Sequence, residues 1–344
     1  MLSEEEIRQA LDNVSVPRFE RSLGSLNMVR SVEINDHSVK LGLAGLAMVG
    51  LPRQVLEVCI DKELKNLPGI DRIEVTYVES KPTELNAIGQ VIAIMSGKGG
   101  VGKSMVSGLI ATDLKRRGYS VGILDADITG PSIPKMFGIK EKPIVCQNGV
   151  LPVLTASGIA VMSINLILEK EDEAVIWRGP LIANAITQFW EEVYWGKLDY
   201  LIVDLPPGTA DVPLTVLKTL PISGVVMVFT PQELTTMIVR KAVKMVHEMG
   251  KRIIGVVENM SYLYLDDIDR KIEIFGASRG EEMAAVAGAP ILAQIPIDPR
   301  LAKLCDEGRI EDYQSEFIGQ FADGIKESLS RDGGQEVGHD SIRE

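Results

Sequence analysis

Apolar positions along this chain follow two different rhythms. Over the first 80 residues they come in short elements of mixed type. Ser3 and Glu6 frame a capping box that predicts a helix ending near Asn13. Residues 27–34 and 38–49 predict strands on either side of the Asn35-Asp36-His37 turn. Pro52 opens a helical spacing of Val55, Leu56, Cys59, Ile60 and Leu64, which Leu67-Pro68-Gly69 stops. Residues 70–78 then alternate like a last strand. The order α-β-β-α-β predicts a small α+β domain over residues 1–80.

Lys81-Pro82-Thr83-Glu84 breaks the pattern, so residues 81–89 are expected to form a linker. Beyond it, near-continuous apolar runs at 91–95, 120–124, 200–203, 225–229, 253–257 and 291–295 alternate with helical stretches. Two of those, 103–117 and 233–249, are closed by Gly118 and Gly250. A strand with no polar side must be covered on both. The expected fold is therefore α/β, a mostly parallel sheet with helices on both faces, over residues 90–330. Residues 331–344 are polar and glycine-containing and are expected to be disordered.

Chemistry enters at Gly97–Ser104, which reads GKGGVGKS and follows a strand and precedes a helix. The spacing GxxxxGK[ST] in that context is a P-loop. Gly97, Gly99, Gly100, Val101 and Gly102 let successive backbone N–H groups converge on phosphate oxygens, and the next helix adds its positive end. Lys103 neutralises the β- and γ-phosphates, while Ser104 offers its hydroxyl to Mg²⁺. Lys98 places a second cation in the same loop. Asp125 and Asp127 stand at the carboxyl end of the second core strand, where open α/β sheets bind ligands. Asp204 ends a Walker B-like strand and is followed by Leu205-Pro206-Pro207-Gly208.

Acidic residues number 48 and basic residues 36, a net charge of −12, which argues against a nucleic-acid partner. The longest run without a charge, 143–168, is interrupted by turn residues, so no membrane span and no membrane partner are expected. The opening residues are acidic and helical, unlike a secretory signal. Cys59, Cys146 and Cys305 are scattered without CxxC spacing, which suits a reducing, cytoplasmic setting. Cys59 reads as a packed thiol and Cys146, ahead of a turn, as a more accessible one.

The GKGGVGKS string resembles the deviant Walker A motif of the MinD/ParA/nitrogenase-iron-protein class. LDADITGPSIPKMFG (124–138), VIWRGPLIANAITQFW (175–190), LDYLIVDLPPGTADVPLT (198–215), TPQELTTMIVRKA (230–242), GVVENMSY (255–262) and IPIDPRLAKLCDEG (295–308) extend the match. Together they resemble the Mrp/ApbC-type ATPases, iron–sulfur cluster carriers of that superfamily, over about residues 88–325. The first 80 residues resemble, more weakly, the iron–sulfur-assembly domain often fused ahead of them. The resemblance implies a magnesium-dependent ATPase that turns over slowly and pairs as a homodimer around its nucleotide. Lys98 then reaches across to the partner's phosphates, and Asp127 orients or deprotonates the attacking water. Asp125 and Asp204 hold Mg²⁺ through its waters, and Asn259 and the Pro296 loop contact adenine.

One departure divides the functional expectation. Where the family carries a CxxC pair after ENMSY, this chain has Leu265 and Ile268. Neither has a lone pair for iron, which such clusters bind through thiolates. Leu51-Pro52 likewise replaces the usual Cys-Pro, and Val16-Pro17-Arg18 the expected Asp-Pro-Glu. The first reading is an ATP-dependent iron–sulfur carrier or assembly factor whose nucleotide state gates transfer to an apoprotein or assembly partner. The alternative is a cluster-free nucleotide-driven switch or maturation adaptor binding a protein client. A MinD-like or ParA-like positioning role lacks the apolar tail helix or the basic surface it requires.

Overall fold

The computed structural model describes residues 3–331 apart from 18, 46–52, 128, 129, 131, 147, 168–178, 210 and 266–268. The Leu51-Pro52 step, Arg18, Ile268 and the 332–344 tail therefore lie outside the described residues.

The amino-terminal part begins with α1 (Glu4–Asp12), whose capping box is present as expected. A two-residue ladder, β1 (Ser15–Val16) with β2 (Arg21–Ser22), follows. Then come β3 (Val29–Asn35), β4 (Ser38–Gly45), α2 (Arg53–Leu64) and β5 (Arg72–Glu79), with β4 central in a three-stranded sheet. Ile7, Leu11, Leu41, Leu43, Leu56, Ile60 and Leu64 fill its core. Three residues from the far part of the chain, Cys146, Leu151 and Tyr194, belong to that same core.

Residues 81–89 differ from the expected linker. They form a helical turn, α3 (Pro82–Leu85), and the start of β6 (Ala87–Ser96). Leu85 is buried, and its carbonyl accepts from Asn27 Nδ2. Pro82 ended the apolar rhythm because it starts a helix, where a missing N–H is harmless.

The second part is the expected mostly parallel sheet. Its further elements are α4 (Lys103–Arg116), β7 (Val121–Asp125), α5 (Ile133–Met136), β8 (Ile144–Cys146), β9 (Gly149–Leu151), β10 (Val153–Leu154), β11 (Ala160–Ser163), α6 (Gly179–Glu192) and β12 (Lys197–Asp204). They continue with α7 (Asp211–Thr219), β13 (Gly224–Phe229), α8 (Glu233–Glu248), β14 (Ile253–Glu258), β15 (Leu263–Leu265), β16 (Arg270–Ile272), α9 (Gly280–Ala287), β17 (Ile291–Gln294), α10 (Pro299–Asp306) and α11 (Gln320–Ser330). The eight-stranded order is β10-β11-β7-β12-β6-β13-β14-β17, with β10–β11 antiparallel and every other pair parallel.

Alternation along β6 explains why both faces are covered. Val91, Ala93 and Met95 join one apolar layer, and Ile92 and Ile94 join the other. Placing β6 between β12 and β13 brings the ends of β6, β12 and β7 side by side. In that register Asp204 sits opposite both Ile94 and Asp125. The carboxylates expected to act together are neighbours because of this pairing. Among the described residues no helix is long and apolar enough to cross a membrane.

Candidate functional site

The phosphate loop runs from the end of β6 into α4, and its backbone is set by close contacts on both sides. A Cβ at Gly97 would meet Ile238 Cγ2 at 2.8 Å, so only glycine lets the loop lie against α8. Gly102 has φ of 80° and is the residue before α4; a Cβ there would run into Asn259 Nδ2. Ser96 Oγ donates to Lys98 O at 2.9 Å, and Gly208 N donates to Ser96 O at 3.0 Å. The strand-end loop after Asp204 thus rests directly on the P-loop.

Lys103 is turned inward. Its Nζ lies 2.9 Å from Asp204 Oδ1 and 3.6 Å from Asp127 Oδ2, with Ser104 Oγ 3.2 Å away. Ser107, one turn along α4, donates to the same Asp204 oxygen at 2.6 Å. Asp204 Oδ2 is fully buried and has no partner among the described residues. A carboxylate oxygen left unpaired in the core is costly unless something else binds it. Ser104 and this orphaned oxygen, beside a glycine loop, form a donor set suited to a hard oxygen-seeking cation such as Mg²⁺.

Asp125 is occupied differently. It accepts from Asp127 N at 3.2 Å, from Ile133 N at 3.4 Å and from Ser163 Oγ at 3.1 Å. Complete burial, and then the negative charge of Asp204, push its pKa well above the ordinary carboxylate range, against the pull of Lys103. Both of its oxygens serve the protein. Asp125 therefore braces the loop that carries Asp127, a role the sequence reading did not foresee.

Asn259 follows β14 and reaches the P-loop from the opposite side, its Nδ2 donating to Val101 O at 2.8 Å. The 259–262 and 295–297 loops run together through Ser261 N to Ile295 O and Ile297 N to Tyr262 O. Pro296 lines a cavity of about 720 Å³ with Tyr262, Arg300 and Tyr313. Asn259 thus stands with the phosphate loop, while Pro296 stands one loop further out.

Glu258 escaped the sequence reading. It is buried and accepts from Ser261 Oγ, Ser278 Oγ, Arg279 N and Gln294 Nε2 at 2.7, 2.6, 2.7 and 3.2 Å. Four neutral donors hold one charge and tie β14, β17 and the entry to α9 to the Asn259 turn. A lone acid ending an apolar strand was the available signal.

Leu265 closes β15, half-buried and paired with Arg270 of β16. Cys59 is partly buried against the amino-terminal core. Cys146 corrects the expectation of accessibility: it is buried in that core because β8 and β9 fold back onto it, and burial raises its thiol pKa. Burial, and then Asp306, push Cys305 up to about 11. Among the described residues no three His, Cys, Asp or Glu side chains converge as a metal cage.

Comparisons with known proteins agree with this architecture. The family model described as NUBPL iron-transfer P-loop NTPase matches residues 87–329, and one described as iron-sulfur cluster assembly protein matches residues 4–77. The iron-sulfur cluster carrier protein of Synechocystis is 38% identical over 323 residues, spanning 90% of this chain and 91% of its own. The human cytosolic Fe-S cluster assembly factor NUBP2 is 39% identical over 259 residues, 73% of this chain and 94% of its own. A solved nucleotide-binding protein of Archaeoglobus fulgidus, in complex with ADP and with cobalt found in it, is 44% identical with a TM-score of 0.62. The match covers 70% of this chain and 96% of that one.

Proposed function

This chain belongs to the NUBPL iron-transfer P-loop NTPase family, and from that membership we propose a specific working cycle. The protein binds Mg·ATP at the Gly97–Ser104 loop, pairs with a second copy around the nucleotide and hydrolyses ATP slowly. Nucleotide state gates its engagement with a protein client of iron–sulfur cluster assembly, an apoprotein or an assembly factor. The observation that carries this reading is Lys103 drawn onto Asp204 and Asp127 beneath a glycine loop, with Asp204 Oδ2 left unpartnered among the described residues.

In that cycle Lys103 leaves its carboxylates for the β- and γ-phosphates, and the loop N–H groups hold the same oxygens. Mg²⁺, when bound, neutralises phosphate charge, and Ser104 and Asp204 would hold it, Asp204 through water. Asp125 keeps the loop after β7 in place. Asp127, freed from Lys103, orients the attacking water and takes its proton. Lys98 crosses to the phosphates of the partner copy and stabilises the charge that develops there. Asn259 anchors the base-side loop, and Pro296 borders adenine. Assembly of the closed pair before chemistry keeps turnover slow.

The domain division belongs to the same proposal: residues 1–80 an assembly-type domain, 90–330 the ATPase. A cytoplasmic site of action accords with the cytosolic human relative. A second reading, a cluster-free switch or adaptor, is favoured by Leu265 at the hairpin where the family has a cysteine, and by Cys146 buried elsewhere. Calorimetry with ATP and magnesium tests the core proposal, and absence of binding heat overturns it. Anaerobic reconstitution with iron and sulfide separates the two readings. A charge-transfer band lost in a cysteine variant supports the carrier, and a colourless protein that still pairs with ATP supports the switch.

A further inference from the structure

The two lysines of the phosphate loop are held by opposite kinds of partner. Lys103 sits between carboxylates. Lys98 Nζ donates to the neutral amide oxygen Gln232 Oε1 at 2.7 Å, across 134 positions of sequence, and makes no ion pair among the described residues. Gln232 is the residue before α8, yet its side chain makes no capping bond to that helix. Glutamine is poorly suited to that task, for which Ser, Thr, Asp and Asn are preferred. Its amide is given over to the lysine.

The loop backbone is held close to the start of α8. Ser96 Oγ pins the Lys98 carbonyl, and Gly97 lies against Ile238 of the same α8 that Gln232 introduces. Loop and helix end therefore lie against each other, and the Lys98 side chain spans the seam between them. We propose that Gln232 is a positioning residue: it parks the Lys98 ammonium on its own subunit and sets how readily two copies close around nucleotide. This rests on the trans role given to Lys98 above. A neutral acceptor suits the task. It orders a long flexible side chain, but it yields to phosphate, whose charge-assisted hydrogen bonds with a lysine are stronger. A carboxylate in its place would compete with phosphate, and an apolar group would leave the lysine loose.

The test uses the full chain carrying Asp127→Ala, so that ATP persists, and reads the dimer dissociation constant by light scattering with Mg·ATP. Releasing one parked hydrogen bond is worth about threefold in an equilibrium constant. Two lysines must leave per pair, so Gln232→Leu is expected to tighten pairing by about tenfold. Gln232→Glu is expected to weaken it by at least as much. In a Lys98→Ala background, whose weaker pairing is read at higher protein concentration, both substitutions are expected to leave the dissociation constant where Lys98→Ala alone puts it, a result that a merely structural role would not give. Shifts in the same direction, or shifts that persist without Lys98, overturn the parking role. If the parent protein pairs with ATP and neither variant changes it, the parking role alone fails. If the parent stays monomeric with ATP, the sandwich itself fails and the parking role with it.

Discussion

Lys103 Nζ and Asp204 Oδ1 meet at 2.9 Å, with the side chains 6% and 0% exposed, so the P-loop lysine is one half of a buried ion pair. Removing one member of such a pair leaves the other charge stranded, at about 3–5 kcal/mol. Lys103→Ala is therefore expected both to abolish nucleotide binding and to lower the melting temperature of the nucleotide-free protein. Lys98→Ala, which deletes a bond to a neutral and half-exposed amide, is expected to melt like the parent. Paired calorimetry and thermal denaturation check this, and equal melting of Lys103→Ala and the parent would contradict it.

Asp127 Oδ2 stands 3.6 Å from Lys103, the longer of the two carboxylate contacts. Its loss leaves Lys103 with Asp204, so Asp127→Ala is expected to bind ATP with nearly unchanged affinity. Hydrolysis is expected to fall at least a hundredfold, in the range ascribed to a positioned proton acceptor. The pair then accumulates in its closed form. Light scattering that shows a monomer with ATP would break the link between hydrolysis and reopening.

The sheet strands were readable because each is an apolar run with no polar face, and β6 shows why, burying Ile92 and Ile94 on one side and Ala93 and Met95 on the other. The P-loop was readable because its spacing defines it, and Asp125, Asp127 and Asp204 stood out as acids at the ends of apolar strands. Elements of two to four residues, such as β8 and β9, show too little periodicity to be read, and with them the burial of Cys146 was lost. Gln232 and Glu258 were invisible for another reason. Their meaning lies in Lys98, Ser278 and Gln294, which only folding brings near. Asp125 also serves the fold, which its place at a strand end did not show, its oxygens accepting from Ser163, Ile133 and Asp127.

Glu258 gathers four donors on two oxygens. Glutamine keeps the shape but presents an N–H₂ group to some of those donors. Glu258→Gln is expected to destabilise the fold by about 1–3 kcal/mol, the cost of unmet buried hydrogen bonds. Because Asn259 follows directly, nucleotide affinity is expected to fall as well. Hydrogen exchange would rise in residues 259–262 and 278–280. Unchanged exchange there would show that the carboxylate does not hold this turn.

Arg21 joins the two parts of the chain. Its guanidinium donates to Tyr194 O at 3.1 Å, Trp195 O at 2.7 Å and Ser25 O at 3.0 Å. Burial pulls its pKa down to about 10, so the contact depends on geometry rather than on a counter-charge. Lysine cannot serve three carbonyls in a fork. Arg21→Lys is expected to cost about 1–3 kcal/mol in denaturant unfolding. Limited proteolysis near residues 81–89 is expected to quicken. A variant as resistant as the parent would show that the amino-terminal part is held by other contacts.

Cysteine reactivity gives the pH-dependent test. Cys305 keeps its proton up to about pH 11, against the usual 9.0, and burial raises Cys146 in the same direction. The folded state therefore binds these protons more tightly than the unfolded one. For Cys305 the stability this contributes is complete below about pH 9 and is lost as pH climbs through 11. Thermal melts are expected to fall over that window, and Cys305→Ala to remove part of the fall. The thiolate is the form that attacks alkylating reagents and binds iron. Iodoacetamide at pH 8 is thus expected to modify Cys146 and Cys305 slowly in the folded protein and rapidly in denaturant. Fast alkylation of Cys146 in the native state would restore it as a candidate cluster ligand and shift the balance back toward a carrier.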